Sequence, residues 1–349
     1  SKYFPRVLAL IADAALHPNF TGEDMEKEKA RIIQSIRANE SNAEVIMKRV
    51  RQTLRYTTAH PYGEYITEAH IAALTLDDVT NYYRKRFVPN NAYLVVTGDV
   101  NPEEVITLVN EHFADWQPFS EEAPALYIPE NVSETQINFI DLPSAVQSEI
   151  RVTNLIDLKM SHPDYFPLLV ANSILGGDFG SYINMNLREE HGYTYGAFST
   201  FKTDKWTKGN FSIKTKVGNA VTAPAIREML KEVKRIQTTI VSEEKLAQAK
   251  AQYLGQFVLA TERPQTIANY AINIKVRNLP EDFYKNYIAK INAVTKEDVQ
   301  RVANSYFLLK NFRIIIVGKG SDIADELKNI NFDGKKIPMK EFDSYGNEK

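Results

Sequence analysis

Two side chains in the second half of the sequence have the types and spacing to handle a peptide carbonyl. Arg188 lies near the end of a short segment, 182–191, and Tyr195 follows seven residues later, beyond Gly192. A guanidinium and a phenol can both donate hydrogen bonds to a carbonyl oxygen, or to the oxyanion it becomes when attacked. The same pair has a plainer reading: an arginine favoured by the negative end of a helix dipole, and a tyrosine packed into a strand. The residues alone leave both open.

The elements that must position them surround them in the sequence. Asp164 can cap a helix with Pro167 in its first turn, and Leu169, Val170, Ser173 and Ile174 supply a buried face. Gly176-Gly177-Asp178-Phe179-Gly180-Ser181 then reads as a glycine turn that orients the helix 182–191. Glycines there can serve positive φ or close packing. No Lys-Ser/Thr follows, so a phosphate loop is not indicated. Gly192 is expected just past the helix end. Next comes a strand, with Tyr193, Tyr195, Ala197 and Ser199 on one face.

Composition narrows the class. The chain has 349 residues, 44% of them apolar and 25% charged, with a formal net charge of −2. That is ordinary globular composition with length for two domains. The charge gives no case for nucleic acid or an anionic membrane, and no apolar run is long enough to span a bilayer. There are no cysteines, which excludes disulfides, thiolate metal sites and a cysteine nucleophile. Cytoplasm and periplasm stay equally open. A chain that starts in mid-helix, without an initiator Met, reads as a cleaved or trimmed product.

The sequence repeats itself. Residues 75–98, TLDDVTNYYRKRFVPNNAYLVVTG, match 295–318, TKEDVQRVANSYFLLKNFRIIIVG, without a gap. Each copy reads as a Thr-capped helix with Asp three residues on, followed by a strand ending at Gly. A second match joins 21–36 to 242–257, pairing Thr21 with Ser242 and Lys29 with Lys250. Two matches in the same order indicate a tandem duplication. The lobes are expected at 1–118 (the C-terminal part of the first) and 134–331. A Pro-rich, acidic linker at 119–133 joins them, and 332–349 is a polar C-terminal extension. If the repeat is regular, roughly 80–90 residues of the first lobe would fall upstream of residue 1.

The stretch LGGDFGSYINMNLREEHGYTYGAFS resembles the second-lobe signature of the pitrilysin/insulinase family of zinc peptidases. HPNFTGEDMEKEK, HPYGEY and NNAYLVVTGD are similar to other family segments, so the resemblance runs over about residues 3–325. It implies an α+β fold of two homologous lobes, each a mostly antiparallel or mixed sheet covered by helices on one face, of the LuxS/processing-peptidase-like metalloenzyme type. It also implies that Arg188 and Tyr195 contact substrate and stabilise the oxyanion, on a loop containing Gly176, Gly177 and Ser181. Substrate peptides in the family add as a strand to a sheet edge.

The family binds zinc through His-x-x-Glu-His plus a distant Glu. The six histidines, His17, His60, His70, His112, His162 and His191, include no pair at that spacing. If Glu28 is the supporting glutamate, the third-ligand position falls on Ser35, a poor zinc ligand. The expectation is therefore a chain that binds no metal, most similar to the zinc-less partner subunit. Zinc would then be supplied by a partner chain of the same family, or within a homo-oligomer, and the assembly would cleave unfolded peptides. Two alternatives stand beside it: an inactive scaffold of the same fold, and a complete zinc peptidase whose metal helix lies outside these residues.

Overall fold

A computed structural model describes residues 2–122 and 125–349; of the expected linker 119–133, residues 123 and 124 lie outside the described residues. The helices of the first part are α1 (Phe4–Leu16), α2 (Gly22–Ala38), α3 (Ala43–Tyr56), α4 (Glu68–Ala73), α5 (Leu76–Arg86) and α6 (Pro102–His112). Then follow β1 (Gln136–Asp141), β2 (Gln147–Ile156), α7 (Tyr165–Asn172), α8 (Tyr182–Asn184), β3 (Ala197–Lys202), β4 (Gly209–Gly218) and α9 (Thr222–Thr238). The chain continues through α10 (Glu243–Thr261), α11 (Pro264–Val276), α12 (Tyr287–Asn292), α13 (Lys296–Tyr306), β5 (Arg313–Gly318) and α14 (Gly320–Lys328). It ends with β6 (Asn331–Phe332), β7 (Lys335–Lys336) and β8 (Met339–Phe342). No described helix is long and apolar enough to cross a membrane.

The duplicated segments fold alike. Thr75 and Thr295 each accept the N–H of the aspartate three residues on, at 3.2 and 3.1 Å. Asp78 and Asp298 return the bond to the threonine N–H at 2.9 and 3.1 Å. Both helices stop at a phenylalanine of nearly equal backbone geometry, Phe87 (φ −90°, ψ 84°) and Phe307 (φ −94°, ψ 82°). Thr21 and Ser242 cap α2 and α10. Lys29 reaches the carbonyls of Ala72 and Leu74, and Lys250 that of Asn292.

The copies diverge after the capped helix. Arg313–Gly318 is a central strand, whereas 93–98, expected as a strand, joins no ladder. Tyr93 and Leu94 are exposed. An extended segment is stable only when a neighbour takes its main-chain groups, and no described strand pairs with this one.

Two compact units result, and they do not follow the linear division into lobes. One comprises Ser1–Ala38, Ile66–Ala125 and Leu259–Val276. The other comprises Asn39–Tyr65, Leu126–Val258 and Arg277–Lys349. Thus α3, from the first copy, belongs to the second unit, and α11, from the second copy, belongs to the first.

The second unit is built on a six-stranded mixed sheet in the order β3-β4-β2-β5-β1-β8. The pairs β3–β4, β4–β2 and β2–β5 are antiparallel, while β1 runs parallel to both β5 and β8. Along β4, Phe211, Ile213, Thr215 and Val217 are buried and Lys214 and Lys216 exposed, as the alternation predicts. Helices α7, α9 and α13 form the layer over one face. Burial of Ile226, Met229, Leu230, Val233 and Ile236 along α9 is what holds it there.

The other face is covered in part by α3. Ile46, Met47 and Val50 pack on Ile140, Ile315, Val317 and Phe342. This double cover explains the unbroken apolar run of β5, Ile314 to Val317, buried on both faces. Phe342 also changes the standing of 332–349, expected as a polar extension. β8 is a strand of the sheet, and the loop after it packs on α3: Arg49 donates to the Ser344 carbonyl at 2.7 Å and lies 4.1 Å from the Tyr345 ring. A four-residue edge strand with two charged residues carries too little apolar pattern to be seen in sequence.

Candidate functional site

The Arg188 region grows from an apolar helix that widens. After α7 the chain makes a π-helical turn over Ser173–Gly177, and after α8 a second over Met185–Glu190. π-bulges of this kind recur at functional sites. Between them Asp178 organises the turn. Its carboxylate accepts from the Gly180 N–H at 2.7 Å and the Ser173 hydroxyl at 3.3 Å, and its carbonyl accepts from the Ser181 hydroxyl at 2.6 Å. Ser181 is fully buried, with its hydroxyl turned into the loop itself.

None of Gly176, Gly177 and Gly180 has positive φ, so these glycines do not serve left-handed backbone. At Gly176 the requirement is space: a Cβ there would lie 2.6 Å from both the Ser199 nitrogen and its Oγ. Gly177 is tighter than usual against the Asn172 carbonyl, at 3.1 Å. The loop is therefore pressed against β3.

Gly192, at φ 63°, ends the helix as expected. The His191 N–H reaches the Asn186 carbonyl and the Tyr193 N–H reaches that of Leu187, so the chain reverses over one glycine. The strand expected next starts late. Thr194 intercepts it: its hydroxyl accepts from the Gly196 N–H at 3.1 Å and donates to the Lys216 carbonyl at 2.8 Å. Such local bonds compete with the ladder, and pairing with β4 begins only at Ala197. Tyr193 and Tyr195 consequently lie outside the strand. Tyr193 stacks on His191 at 4.9 Å, and Tyr195 is 96% exposed. A core role for Tyr195 is excluded.

Arg188 sits in the last turn of the second π-helical segment. It pairs with Glu189 at 3.3 Å and lies 5.4 Å from the Phe179 ring, with its side chain 42% exposed. No hydrogen bond joins Arg188 to Tyr195 among the described residues.

Asparagines hold this frame together, and they were not anticipated from sequence. Asn184 is fully buried; its Nδ2 donates to the Phe179 carbonyl at 2.7 Å and its Oδ1 accepts from the Ala197 N–H at 3.1 Å. Asn172 donates to the Ser199 carbonyl at 3.3 Å and accepts from the Ser199 hydroxyl at 2.9 Å. The Asn184 bond occupies the Ala197 N–H of the edge strand β3, so strand addition by a substrate has no free donor at that residue. Asn186 donates to Glu232 at 2.9 Å and Glu228 at 3.3 Å on α9. Burial opposes ionisation of Glu228, but bonds from Lys231 and Asn186 outweigh it and hold the carboxyl below its ordinary value. The only available signal was three asparagines inside otherwise apolar helical segments.

Zinc does not fit the residues at hand. In α2, Glu28 is engaged by the Arg31 guanidinium, and the neighbouring candidate, Ser35, offers a neutral hydroxyl. No group of three His, Cys, Asp or Glu side chains among the described residues could hold an ion.

The comparisons agree with this architecture. The family described as "Peptidase M16 inactive domain" matches residues 73–253, more than half of the chain, and the protein belongs to it. The resemblance to pitrilysin/insulinase-type peptidases thus holds at the level of family. The chain is 23% identical over 343 residues to the probable mitochondrial-processing peptidase subunit beta of Schizosaccharomyces pombe, covering 92% of this chain and 72% of that protein. It is 23% identical over 322 residues to the non-peptidase homolog YmxG of Helicobacter pylori, covering 90% and 72%. Among solved structures, a peptidase M16 inactive domain from Pseudomonas fluorescens superposes with a TM-score of 0.80 at 20% identity, over 90% of this chain and 74% of that one.

Proposed function

We propose that this chain is the zinc-less member of a heteromeric M16 peptidase and contributes Arg188 and Tyr195 to the substrate. The observation that carries the reading is the exposure of Tyr195. A tyrosine left almost wholly to solvent beside a buried, hydrogen-bonded frame adds nothing to the core and keeps its hydroxyl accessible to a ligand, which supports this reading. Arg188, two-fifths exposed across the Gly192 reversal, supplies the second donor. Both would donate to the scissile carbonyl oxygen as charge develops on it, while the loop containing Gly176, Gly177 and Ser181 fixes the helix that carries Arg188. Metal held by a partner chain would supply the attacking water. Relatives named as a processing-peptidase subunit and as a non-peptidase homolog support a chain that does not cleave alone.

The test is to measure bound zinc and peptide hydrolysis for this chain alone and mixed with a zinc-binding M16 chain from the same genome. Activity only on mixing, reduced roughly 100-fold by Arg188→Ala or Tyr195→Phe as for loss of an oxyanion donor, is the expected result. Zinc and activity in the chain alone would reject the partner role. Activity on mixing that neither variant alters would leave the chain a scaffold of the same fold.

A further inference from the structure

Beneath α3, on the face of the sheet opposite the α7–α9–α13 layer, three arginines gather without an acidic partner. Arg51 and Arg55 lie one turn apart on α3. Arg151 and Thr153 are alternate residues of β2 and so share a face. Arg55 Nη2 donates to Thr153 Oγ1 at 2.9 Å, which seats its guanidinium on that strand beside Arg151. Arg55 is only 5% exposed, whereas Arg51 and Arg151 are half-buried and reach solvent.

The Nε–H groups of all three are buried without an acceptor. None of the three forms an ion pair among the described residues. Glu149, on the same face, is held by Lys216 at 2.8 Å. Glu149 and Glu44 act on Arg151 only at longer range. Burial, and then the neighbouring Arg51 charge, push the Arg55 guanidinium down to about 10; the adjacent Tyr56 phenol opposes this in part, and Arg151 adds a smaller push in the same direction as Arg51. Buried charge of one sign is unfavourable unless an opposite charge is brought to it, and guanidinium forks match oxyanions.

We infer that Arg51, Arg55 and Arg151 form an oxyanion-binding site, and that its ligand is a carboxylate of an acidic peptide segment. The neighbouring strand decides for a peptide over a single small anion. Lys214 lies opposite Arg151 in the β2–β4 ladder and is exposed, whereas Lys216, opposite Glu149, is neutralised by that carboxylate. Positive charge thus continues onto the next strand at Lys214, on the same face as the arginines, as a segment with more than one carboxylate would require. The inference concerns the charge of the bound peptide and rests on the peptide-handling reading above only for that choice of source. The site itself stands on the arginines.

The full chain is titrated, without a partner chain, into a labelled twelve-residue peptide containing three glutamates and into its glutamine counterpart, by fluorescence anisotropy at fixed ionic strength. The glutamate peptide is expected to bind at least tenfold more tightly, and Arg51→Gln and Arg151→Gln to abolish the difference. Arg151→Lys keeps the charge but not the fork, and is expected to retain part of it. In parallel, inorganic phosphate should raise the melting temperature of the wild type in a saturable way and leave the glutamine variants unmoved. A phosphate response with no discrimination between peptides overturns the peptide as the source. Equal responses of wild type and variants to both probes overturn the site. No hydrolysis is read, so the outcome is independent of the roles of Arg188 and Tyr195.

Discussion

Asn184 Oδ1 accepts the main-chain N–H of Ala197 at 3.1 Å, so the helix leading to Arg188 and the strand following Tyr195 are fixed to one another through a single buried amide. The second half of that amide holds the Phe179 carbonyl of the preceding turn. Asn184→Ala would leave the buried Ala197 N–H unpaired and strip the part-buried Phe179 carbonyl of its donor, at a cost of about 1–3 kcal/mol. Urea denaturation followed by circular dichroism should show this as a lower midpoint. A shift below about 0.5 kcal/mol would mean that the latch does not fix the frame.

Gly176 and Gly180 separate two roles of glycine. Gly176→Ala places a methyl 2.6 Å from main chain and side chain of Ser199, and should destabilise by about 1–3 kcal/mol. Gly180→Ala meets its nearest atom, Asp178 Oδ1, at 3.4 Å and should be nearly silent. Equal melting temperatures for the two variants would contradict the close approach of the loop to β3.

Tyr195 makes almost no contact with the fold. Tyr195→Phe and Tyr195→Ala should each leave stability within about 0.5 kcal/mol of wild type. Any catalytic loss they produce on mixing is then a loss of chemistry, not of folded protein. A melting temperature lowered by several degrees would show instead that the ring is packed.

Glu228 gives the region an acid dependence. Its folded carboxyl titrates below the ordinary value of 4.5, so its contribution is full above that pH and is lost as pH falls through the lower folded value. Glu228→Gln should therefore be less stable than wild type near pH 7, and the gap should narrow as the pH drops below about 4.5. Melting curves that stay parallel from pH 7 to pH 3 would dismiss the Lys231 and Asn186 bonds as its cause.

Phe342 tests whether the tail belongs to the sheet. It is 5% exposed in the cluster with Ile46, Val50 and Ile315. Phe342→Ala should cost about 3–5 kcal/mol, as for a large core truncation. A loss under 1 kcal/mol, measured by denaturant midpoint, would return residues 339–342 to the status of an appendage.

What could be read in the sequence was local or repeated. The Thr75 and Thr295 capping boxes, the Gly192 stop and the alternation of β4 need only neighbours along the chain, and each stands where expected. Segment 93–98 carries the same strand pattern as β5 but depends on a partner, so its pattern did not become a strand. Arg188 and Tyr195 were visible by type and spacing. Their support was not, because Asn184, Asn172 and Asn186 act through residues 5 to 46 positions away. The arginines under α3 escaped for the same reason: Arg55 meets Thr153 across 98 residues.

The exchange of α3 and α11 between the two units means that the linear order of the chain is not the order of its parts. A cut within 119–133, where a dissection by sequence would fall, removes α3 from the sheet it covers and uncovers Ile140, Ile315 and Val317. The C-terminal fragment would be a sheet with the apolar patch of Ile140, Ile315, Val317 and Phe342 laid open, prone to associate. During synthesis, α3 leaves the ribosome well before β1, β2 or β5 exists and must wait for them. The duplicated chain is thus a single folding problem, and neither copy is a portable module.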